Sequence, residues 1–296
     1  SALVFNTGYM TNLGVLYGLL QTGDVVFSDE LNHASIIDGC RISRCKVVVY
    51  KHNDMADLQR LLETEIVTGQ RFIVTDGVFS MDGDIADLPS LAVKKQFNAC
   101  LIVDDAHGVG VIGNDGSGTA SHYGLTDVID LQVGTLSKAL AAEGGYVAGK
   151  KILIDYLINR SRPFIFSTAL APATLAAANA ALLLLQTQAS KYLDSLRANS
   201  RLMRRLLLEG GLNVVEGITP IIPVVIGEAG LTMQFADRLK SKGILVSGIR
   251  PPTVPRGESR LRITVTAAHC EEQLRQAAQI ITALWQELKH GEKKEG

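Results

Sequence analysis

The sequence has few cysteines, and none of them is spaced for metal binding or redox chemistry. Cys40, Cys45, Cys100 and Cys270 are the four among 296 residues. They form no CxxC pair and no Cys/His cluster at zinc spacing. Because a secreted chain of this size usually pairs its cysteines more densely, we predict a reducing, cytoplasmic environment and no bound metal.

An excess of charge of one sign is also absent. Lysine and arginine total 29 against 30 for aspartate and glutamate, a formal net charge of -1. This balance lacks the basic surface that nucleic acids or anionic membranes would require. We therefore predict small-molecule or protein partners, and no nucleic-acid or membrane partner.

Long apolar runs are nearly absent too. Only residues 170–185, "LAPATLAAANAALLLL", approach the composition of a membrane span, and this run is short for one and contains Pro172 and Asn179. We predict a buried helix there instead. The sequence shows no basic n-region followed by an apolar h-region. The start, "SALVFNTGYMTN", resembles the interior of a folded domain, so we expect that an N-terminal segment is missing.

Apolar runs of strand length do occur, and they alternate with amphipathic helical segments. The strand-like runs are residues 46–50, 71–79, 99–108, 130–135 and 144–149. This alternation predicts an α/β domain with a mostly parallel sheet covered on both faces. In such a sheet, ligands bind beyond the carboxyl ends of the strands.

After Pro172 the pattern changes to one long helix and then to "PIIPVVIG", "ILVSGI", "RLRITV" and a final helix. We predict two domains: a large one over residues 1–175, and a smaller C-terminal α+β domain over residues 176–296 that includes the long helix.

One glycine motif suggests a dinucleotide site. Gly108, Gly110 and Gly113 have GxGxxG spacing after a strand. The following "NDGSGTASHYG" is rich in turn-forming residues and cannot begin the required helix. A dehydrogenase is therefore a remote alternative, and a tight loop is the preferred interpretation.

Polar residues follow two of the predicted strands. Asp104 and Asp105 end "CLIV", with His107 just beyond, and Lys138 follows the next strand between Ser137 and a run of small residues. A buried carboxylate requires a cation or a strong donor, although Asp104 could instead cap a turn and His107 could be a packed loop residue. A desolvated lysine is a nucleophile, but Lys138 alone could equally lie on the surface.

Three further clusters extend this polar set. His33 precedes a helix, Asp76, Ser80 and Asp82 lie in "TDGVFSMDGD", and the segment "IRPPTVPRGESRLRITVTAAH" carries four arginines: Arg250, Arg256, Arg260 and Arg262. Alternation places Arg260 and Arg262 on one strand face, where a guanidinium can bind a carboxylate. A lysine, an acid, a stacking group, phosphate donors and a carboxylate clamp together suit pyridoxal 5′-phosphate.

At this point the sequence resembles the α-oxoamine synthases, which are fold-type I, aspartate aminotransferase-like pyridoxal-phosphate enzymes. The matching motifs are "NHASIIDG", "DGVFSMDGD", "VDDAHGVGVIG", "TLSKAL", "FSTALAP" and the arginine-rich segment, in family order. The resemblance implies decarboxylative condensation of an amino acid with an acyl thioester, carried by CoA or a carrier protein. It also implies a homodimer with shared active sites.

The resemblance further implies roles for individual residues. Lys138 corresponds to the Schiff-base lysine, Asp104 to the partner of the pyridine nitrogen, His33 to the ring-stacking histidine and His107 to the donor to the phenolic oxygen. Ser80 lies on that side of the ring. The phosphate contacts are Thr135, Ser137, the amides of Gly8 and Tyr9, and Ser167 or Thr168 from the other subunit. Arg262 corresponds to the carboxylate clamp, with Arg250 a second candidate.

Within the family, the C-terminal motif and "SKALAAEGG" most resemble the member that joins L-alanine to a pimeloyl thioester. The near alternative joins glycine to acetyl-CoA. Asp76 replaces the glutamate of many members, and the family's N-terminal Gly/Ser-rich segment is missing from this chain. An inactive, truncated paralogue serving as a dimeric scaffold is therefore a further alternative.

Overall fold

The structure is a computed structural model that describes residues 1–295. The chain forms two compact units. The first comprises Ser1–Phe79 and Ile85–Ala189, and the second comprises Ser80–Asp84 and Ser190–Gly296. No helix in the described part of the chain is long and apolar enough to cross a membrane.

The first unit contains a seven-stranded sheet. In sheet order its strands are β1 (Ala2–Phe5), β7 (Gly145–Gly149), β6 (Leu131–Thr135), β5 (Ala99–Asp104), β4 (Arg71–Asp76), β2 (Val25–Asp29) and β3 (Lys46–Tyr50). The five strands from β6 to β3 are parallel, whereas β7 is antiparallel to both β6 and β1. The sheet is therefore mostly parallel, as predicted.

Helices of this unit connect the strands. They are α1 (Gly8–Leu19), α2 (Ala34–Ile42), α3 (Met55–Thr64), α4 (Leu88–Lys94), α5 (Thr119–His122), α6 (Lys151–Arg160) and α7 (Arg162–Ile165). Side chains cap several of their first turns. Thr7 accepts a hydrogen bond from the Met10 amide at the start of α1, and Asp54 accepts two at the start of α3.

The inner parallel strands β2, β4 and β5 are buried on both faces, whereas Val47 and Val49 of the edge strand β3 are 39% and 58% exposed. Val26, Val74 and Ile102 belong to one apolar cluster, while their chain neighbours Phe27, Ile73 and Leu101 belong to another. Since successive side chains of a strand point to opposite faces, the two clusters cover the two sides of the sheet. This explains why these strands are continuous apolar runs in the sequence.

Two features of the sheet differ from the sequence prediction. The five predicted strands are present, but β1 and β2 were not predicted. The last predicted strand, β7, does not join the parallel set, because residues 136–144 connect β6 to it directly. A parallel crossover requires a longer connection, usually a helix.

The second unit contains an antiparallel three-stranded sheet in the order β8 (Ile221–Gly227), β10 (Ser259–Thr264) and β9 (Ser247–Ile249). Helices α9 (Ala229–Ser241) and α10 (Glu271–Glu295) belong to this unit. Its core includes the stacked rings of Phe235 and Trp285, whose centroids are 5.7 Å apart.

The long helix α8 (Pro172–Glu209) contributes residues to both units. Its backbone is non-helical at Gln188, beside the division between the units at Ala189. The sequence prediction placed the boundary near residue 175, where the composition changes, but the helix continues through that position because Pro172 is its first residue.

The apolar first half of α8 was predicted to be buried, and that prediction is wrong for the isolated chain. Leu175, Leu182, Leu183 and Leu184 are each 40% or more exposed, while Ala178 is buried. Apolar composition indicated the helix but could not show which surfaces pack against it.

Core packing in the first unit can be tested with a matched pair of isoleucines. Ile73 in β4 is fully buried, whereas Ile66 in the preceding loop is 88% exposed. We expect Ile73→Ala to lower the free energy of unfolding by about 2 to 5 kcal/mol, since it removes apolar burial and leaves a cavity. Ile66→Ala should change it by less than about 0.5 kcal/mol. Urea denaturation measures both, and equal effects would contradict the packing.

Candidate active site

Two buried aspartates lie side by side at the carboxyl edge of the parallel sheet. Asp76 ends β4 and Asp104 ends β5, and the two are aligned in register. Burial, and then the negative charge of Asp104, raise the pKa of Asp76 well above its ordinary value. Burial beside a second carboxylate therefore favours the neutral form of Asp76.

Asp104 receives a hydrogen bond on each carboxylate oxygen. Its Oδ1 accepts from the Ala106 amide at 3.0 Å, and its Oδ2 accepts from Asn12 Nδ2 at 2.6 Å. Asp104 thus caps the turn after β5, and its second oxygen is bound by a side chain from α1. His107 lies half-exposed in the same turn.

Lys138 lies in the loop between β6 and β7, and its side chain is exposed. The Lys138 carbonyl accepts a hydrogen bond from the Ala141 amide, and Leu136 bonds to both Ala142 and Gly144. The loop is thus a tight antiparallel connection rather than a strand-to-helix turn. The positive charge of Lys138 lowers the pKa of Asp76, although less than burial raises it, so the amine is within electrostatic reach of the paired aspartates.

The first turn of α1 and the end of β6 form a neighbouring polar site. Thr7 caps the amides of Met10 and Thr11, so the first two amides, those of Gly8 and Tyr9, are the ones for which the helix supplies no acceptor. A Cβ at Gly8 would lie 3.2 Å from Thr135 Oγ1. Thr135 Oγ1 is in turn 2.8 Å from Ser137 Oγ. Amides at a helix start and two hydroxyls suit an anion such as phosphate.

His33 is the cap residue of α2, and its side chain is exposed. Its amide donates a hydrogen bond of 2.9 Å to Asp76 Oδ2. Its Nδ1 is 2.7 Å from Ser35 Oγ. The backbone of His33 is therefore fixed to the paired aspartates, while the ring faces solvent.

The structure thus brings six of the predicted residues to one edge of the first unit: Gly8, His33, Asp104, Thr135, Ser137 and Lys138. Tyr9 is beside them, and its hydroxyl is hydrogen-bonded to Asp38. Ser167 and Thr168 lie in the loop between α7 and α8, where Asn6 Nδ2 donates to the Thr168 carbonyl at 2.7 Å.

The remaining predicted residues, Ser80, Arg250 and Arg262, lie in the second unit. Arg262 Nε donates to the Ser80 carbonyl, and its two Nη groups make no hydrogen bond to the described residues. Burial lowers the pKa of Arg262. Arg250 is exposed in the loop after β9.

The other strand arginine, Arg260, is already paired within the same unit. It bonds to Asp82 and, at 3.1 Å, to Glu258 Oε2, and its side chain is 5% exposed. The structure therefore separates the two arginines that the sequence left equivalent. Only Arg262 keeps donors that could bind a carboxylate.

Asp105 occupies a cage of glycines. A Cβ at Gly108 or Gly118 would lie 1.9 Å from its carboxylate oxygens, and one at Gly77 would lie 2.6 Å away. Its Oδ2 accepts from the Thr119 amide at 2.6 Å. The GxGxxG segment therefore wraps a buried carboxyl, and no helix follows it until the four-residue α5, so the dinucleotide interpretation fails.

Two buried residues of the site were not predicted. Asn12 and Ser35 contact Asp104 and His33 respectively. Asn12 is the only amide side chain in the mostly apolar segment "MTNLGVLYGLL", and that was the signal available in the sequence.

Comparison with known proteins shows the family to which the chain belongs. Residues 1–281 match the family "Aminotransferase class I and II". The 8-amino-7-oxononanoate synthase of Lysinibacillus sphaericus is 50% identical over 275 residues, which are 93% of this chain and 70% of that protein. A structure of S. paucimobilis serine palmitoyltransferase with a bound PLP–myriocin aldimine superposes with a TM-score of 0.94 at 31% identity, covering 98% of this chain and 73% of that one.

A structure of the Francisella tularensis 8-amino-7-oxononanoate synthase has a TM-score of 0.82 at 32% identity, covering 98% of this chain and 83% of that one. The chain belongs to the aminotransferase class I and II family. The predicted fold class, cofactor and enzyme class, a fold-type I pyridoxal-phosphate-dependent acyltransferase, are thereby confirmed.

The residues of the first unit also fit pyridoxal phosphate chemically. An exposed amine, a buried carboxylate and an anion site at a helix start lie along one sheet edge. These are the groups that would hold the aldehyde carbon, the ring nitrogen and the phosphate of the cofactor.

The buried carboxyl of Asp105 makes a testable contribution to stability. Burial raises its pKa to about 7, against about 3.9 for an unfolded chain. Between these values the folded protein holds a proton that the unfolded chain releases, so stability falls as pH rises from about 4 to about 7 and then levels. The contribution of this group is about 1.4 kcal/mol per pH unit.

Urea denaturation from about pH 5 to pH 8 measures this dependence. We expect Asp105→Asn to remove this part of the slope, because the amide does not titrate. Asp127→Asn, at an exposed position, should keep it. Identical slopes for wild type and Asp105→Asn would contradict the assignment.

Proposed function

We propose that this chain is an 8-amino-7-oxononanoate synthase, which joins L-alanine to a pimeloyl thioester and releases CO₂ and free thiol in biotin biosynthesis. The observation that carries this proposal is the meeting of Lys138, the buried Asp104 and the start of α1 at one sheet edge. The 50% identity to the Lysinibacillus sphaericus enzyme over 93% of the chain supports the specific reaction.

The residues divide the work of holding the cofactor. Lys138 would attach the cofactor covalently, and Asp104 would accept the pyridine N–H. The amides of Gly8 and Tyr9 would bind the phosphate, together with the hydroxyls of Thr135 and Ser137. When bound, pyridoxal phosphate supplies an electron-withdrawing ring that accepts the electron pair left at the α-carbon of the amino acid.

Further residues orient the ring and the amino acid. His33 would stack on the ring, His107 would donate to the phenolic oxygen, and Ser80 would lie on the side of His107. Arg262 binds the carboxylate of the amino acid, with Arg250 a second candidate. The bond from Arg262 Nε to the Ser80 carbonyl leaves both Nη groups for bidentate binding.

The raised pKa of Asp76 suits this arrangement, because a shift toward its neutral form lessens the negative charge beside Asp104. Asp76 Oδ2 also accepts a hydrogen bond from the His33 amide, which fixes the start of α2.

The reaction balances with Lys138 as the proton carrier. Its neutral amine takes the α-proton of alanine. A bond forms between the alanine α-carbon and the thioester carbonyl carbon, and the C–S bond breaks to release the thiol. The bond to the carboxylate then breaks to release CO₂, and the α-carbon takes back a proton.

We also propose a homodimer in which Ser167 or Thr168 contacts the phosphate bound by the other subunit. Next to these residues Phe166 is 71% exposed, and Leu183 of α8 is 51% exposed. Apolar side chains of this size favour burial against a second copy of the chain. The cytoplasmic location stays a prediction from cysteine usage. CoA and a carrier protein stay alternative carriers of the acyl group.

Cofactor attachment and thiol release together test the function. Protein reconstituted with pyridoxal phosphate should show a visible absorption band that borohydride bleaches, and Lys138→Ala should lack this band because no amine remains to bind the aldehyde. Lys151→Ala is the matched control, since that side chain is 76% exposed in a surface ion pair.

Thiol release is then measured with alanine or glycine, each combined with pimeloyl-CoA or acetyl-CoA. We expect the fastest release with alanine and pimeloyl-CoA. Faster release with glycine and acetyl-CoA would instead indicate a 2-amino-3-ketobutyrate CoA ligase (glycine C-acetyltransferase). A normal band without thiol release from any pair would favour an inactive scaffold.

Arg262 offers a separate test of amino-acid binding. Arg262→Lys keeps the charge but loses the bidentate fork, so we expect the KM for alanine to rise by about 10- to 100-fold. The visible band should not change. Arg256→Lys, at an exposed loop position, is the control, and an equal KM in both variants would contradict the role of Arg262.

A further inference from the structure

Two buried polar side chains connect helices α1 and α2. Asn12 of α1 is 2% exposed and Ser35 of α2 is 1% exposed. Burying an amide or a hydroxyl costs free energy unless each polar atom finds a partner. Their partners therefore indicate why polar residues occupy these positions.

The partners form one continuous chain of hydrogen bonds. Asn12 Nδ2 lies 2.6 Å from Asp104 Oδ2 and 2.9 Å from Ser35 Oγ. Ser35 Oγ lies 2.7 Å from His33 Nδ1. The chain runs from the carboxylate at the end of β5 to the imidazole at the start of α2.

The chemistry of the donors fixes the direction of each bond. The Nδ2 group of Asn12 carries two hydrogens, of which one is donated to Asp104 Oδ2 and the other to Ser35 Oγ. The hydroxyl hydrogen of Ser35 is then available for His33 Nδ1. The Ser35 amide also donates to that nitrogen, at 3.2 Å. Nδ1 thus faces two donors and must carry a lone pair.

A close approach of the two helices makes the chain possible. Gly39 of α2 faces α1, where a Cβ would lie 2.8 Å from Leu16 Cδ1 and 3.1 Å from the Asn12 carbonyl oxygen. Because glycine has no side chain, α2 can lie near enough to α1 for Asn12 to reach Ser35.

We propose that Asn12 and Ser35 are positioning residues that hold His33 in the neutral Nε2–H tautomer and couple its ring to the carboxylate of Asp104. The proposal rests on the proposed function for the roles of His33 and Asp104 on the two sides of the cofactor ring. The chain of hydrogen bonds fixes the position of the His33 imidazole relative to the Asp104 carboxylate.

The tautomer can be measured without cofactor. In apoprotein labelled with ¹⁵N-histidine, the His33 resonances are identified by their loss in His33→Gln. We expect an unprotonated Nδ1 and a protonated Nε2 in wild type. In Ser35→Ala the Nδ1 loses its hydroxyl donor, so we expect its ¹⁵N shift to move toward that of a mixed population of tautomers.

Cofactor affinity provides the second readout. We expect Asn12→Ala to weaken pyridoxal-phosphate binding by about 10- to 100-fold, because a bond to a charged, buried carboxylate is lost. Asn199→Ala is the matched control in the second unit. Its Nδ2 also donates two bonds, to the carbonyls of Thr266 and His269. The Asn199→Ala substitution should lower thermal stability without changing the affinity for pyridoxal phosphate or the His33 resonances.

Measurements of pyridoxal-phosphate affinity also test whether Asn12 and Ser35 are coupled. In the double variant, Asn12→Ala with Ser35→Ala, the loss of affinity should be smaller than the product of the two single losses, since both variants break one chain.

Three results would overturn the proposal: a protonated Nδ1 in wild type, unchanged His33 resonances in Ser35→Ala, or wild-type affinity in Asn12→Ala. Failure of the proposed function looks different. A wild-type protein that binds no pyridoxal phosphate would remove the functional role, while the apoprotein spectra would still decide whether the chain sets the tautomer.

Discussion

The burial of two neighbouring carboxylates at the ends of β4 and β5 is the constraint on which the site depends. Asp76 and Asp104 are aligned on adjacent parallel strands and are almost inaccessible to solvent. Placing two negative charges there would be costly. This cost raises the pKa of Asp76, and donors from other elements are directed at both side chains. The His33 amide donates to Asp76, and Asn12 donates to Asp104.

The same requirement explains how distant segments are arranged. Helix α1 supplies Asn12 from its second turn, and the anion-binding amides of Gly8 and Tyr9 from its first turn. Helix α2 begins at the residue whose amide is bound to Asp76. Glycines permit the close contacts, at Gly39 between the two helices and at Gly108 against Asp105. In the second unit, Arg260 is paired with Asp82, whereas Arg262 keeps free Nη groups among the described residues.

Much of this could be predicted from sequence, because charged residues directly after apolar runs mark the ends of buried strands. Asp104 and Lys138 were found in this way, and His33 by its position before a helix. Asn12 was not, because a single asparagine in a helix has the same pattern whether its amide meets solvent or a carboxylate. The strands β1 and β2 were missed, since four- and five-residue runs beside a glycine-rich helix carry little periodic signal. The roles of the individual site residues stay predictions.

The sequence by itself determined the fold class, the cofactor and the residue types of the site, because apolar periodicity and the motifs at strand ends are local properties of the chain. Only the tertiary structure decided that burial raises the pKa of Asp76, which of the two strand arginines is already paired, and that Asn12 and Ser35 join Asp104 to His33. Those outcomes depend on distances between residues far apart in sequence. Burial and hydrogen-bond direction are set by the packing of α1, α2 and the sheet, and no local pattern records them.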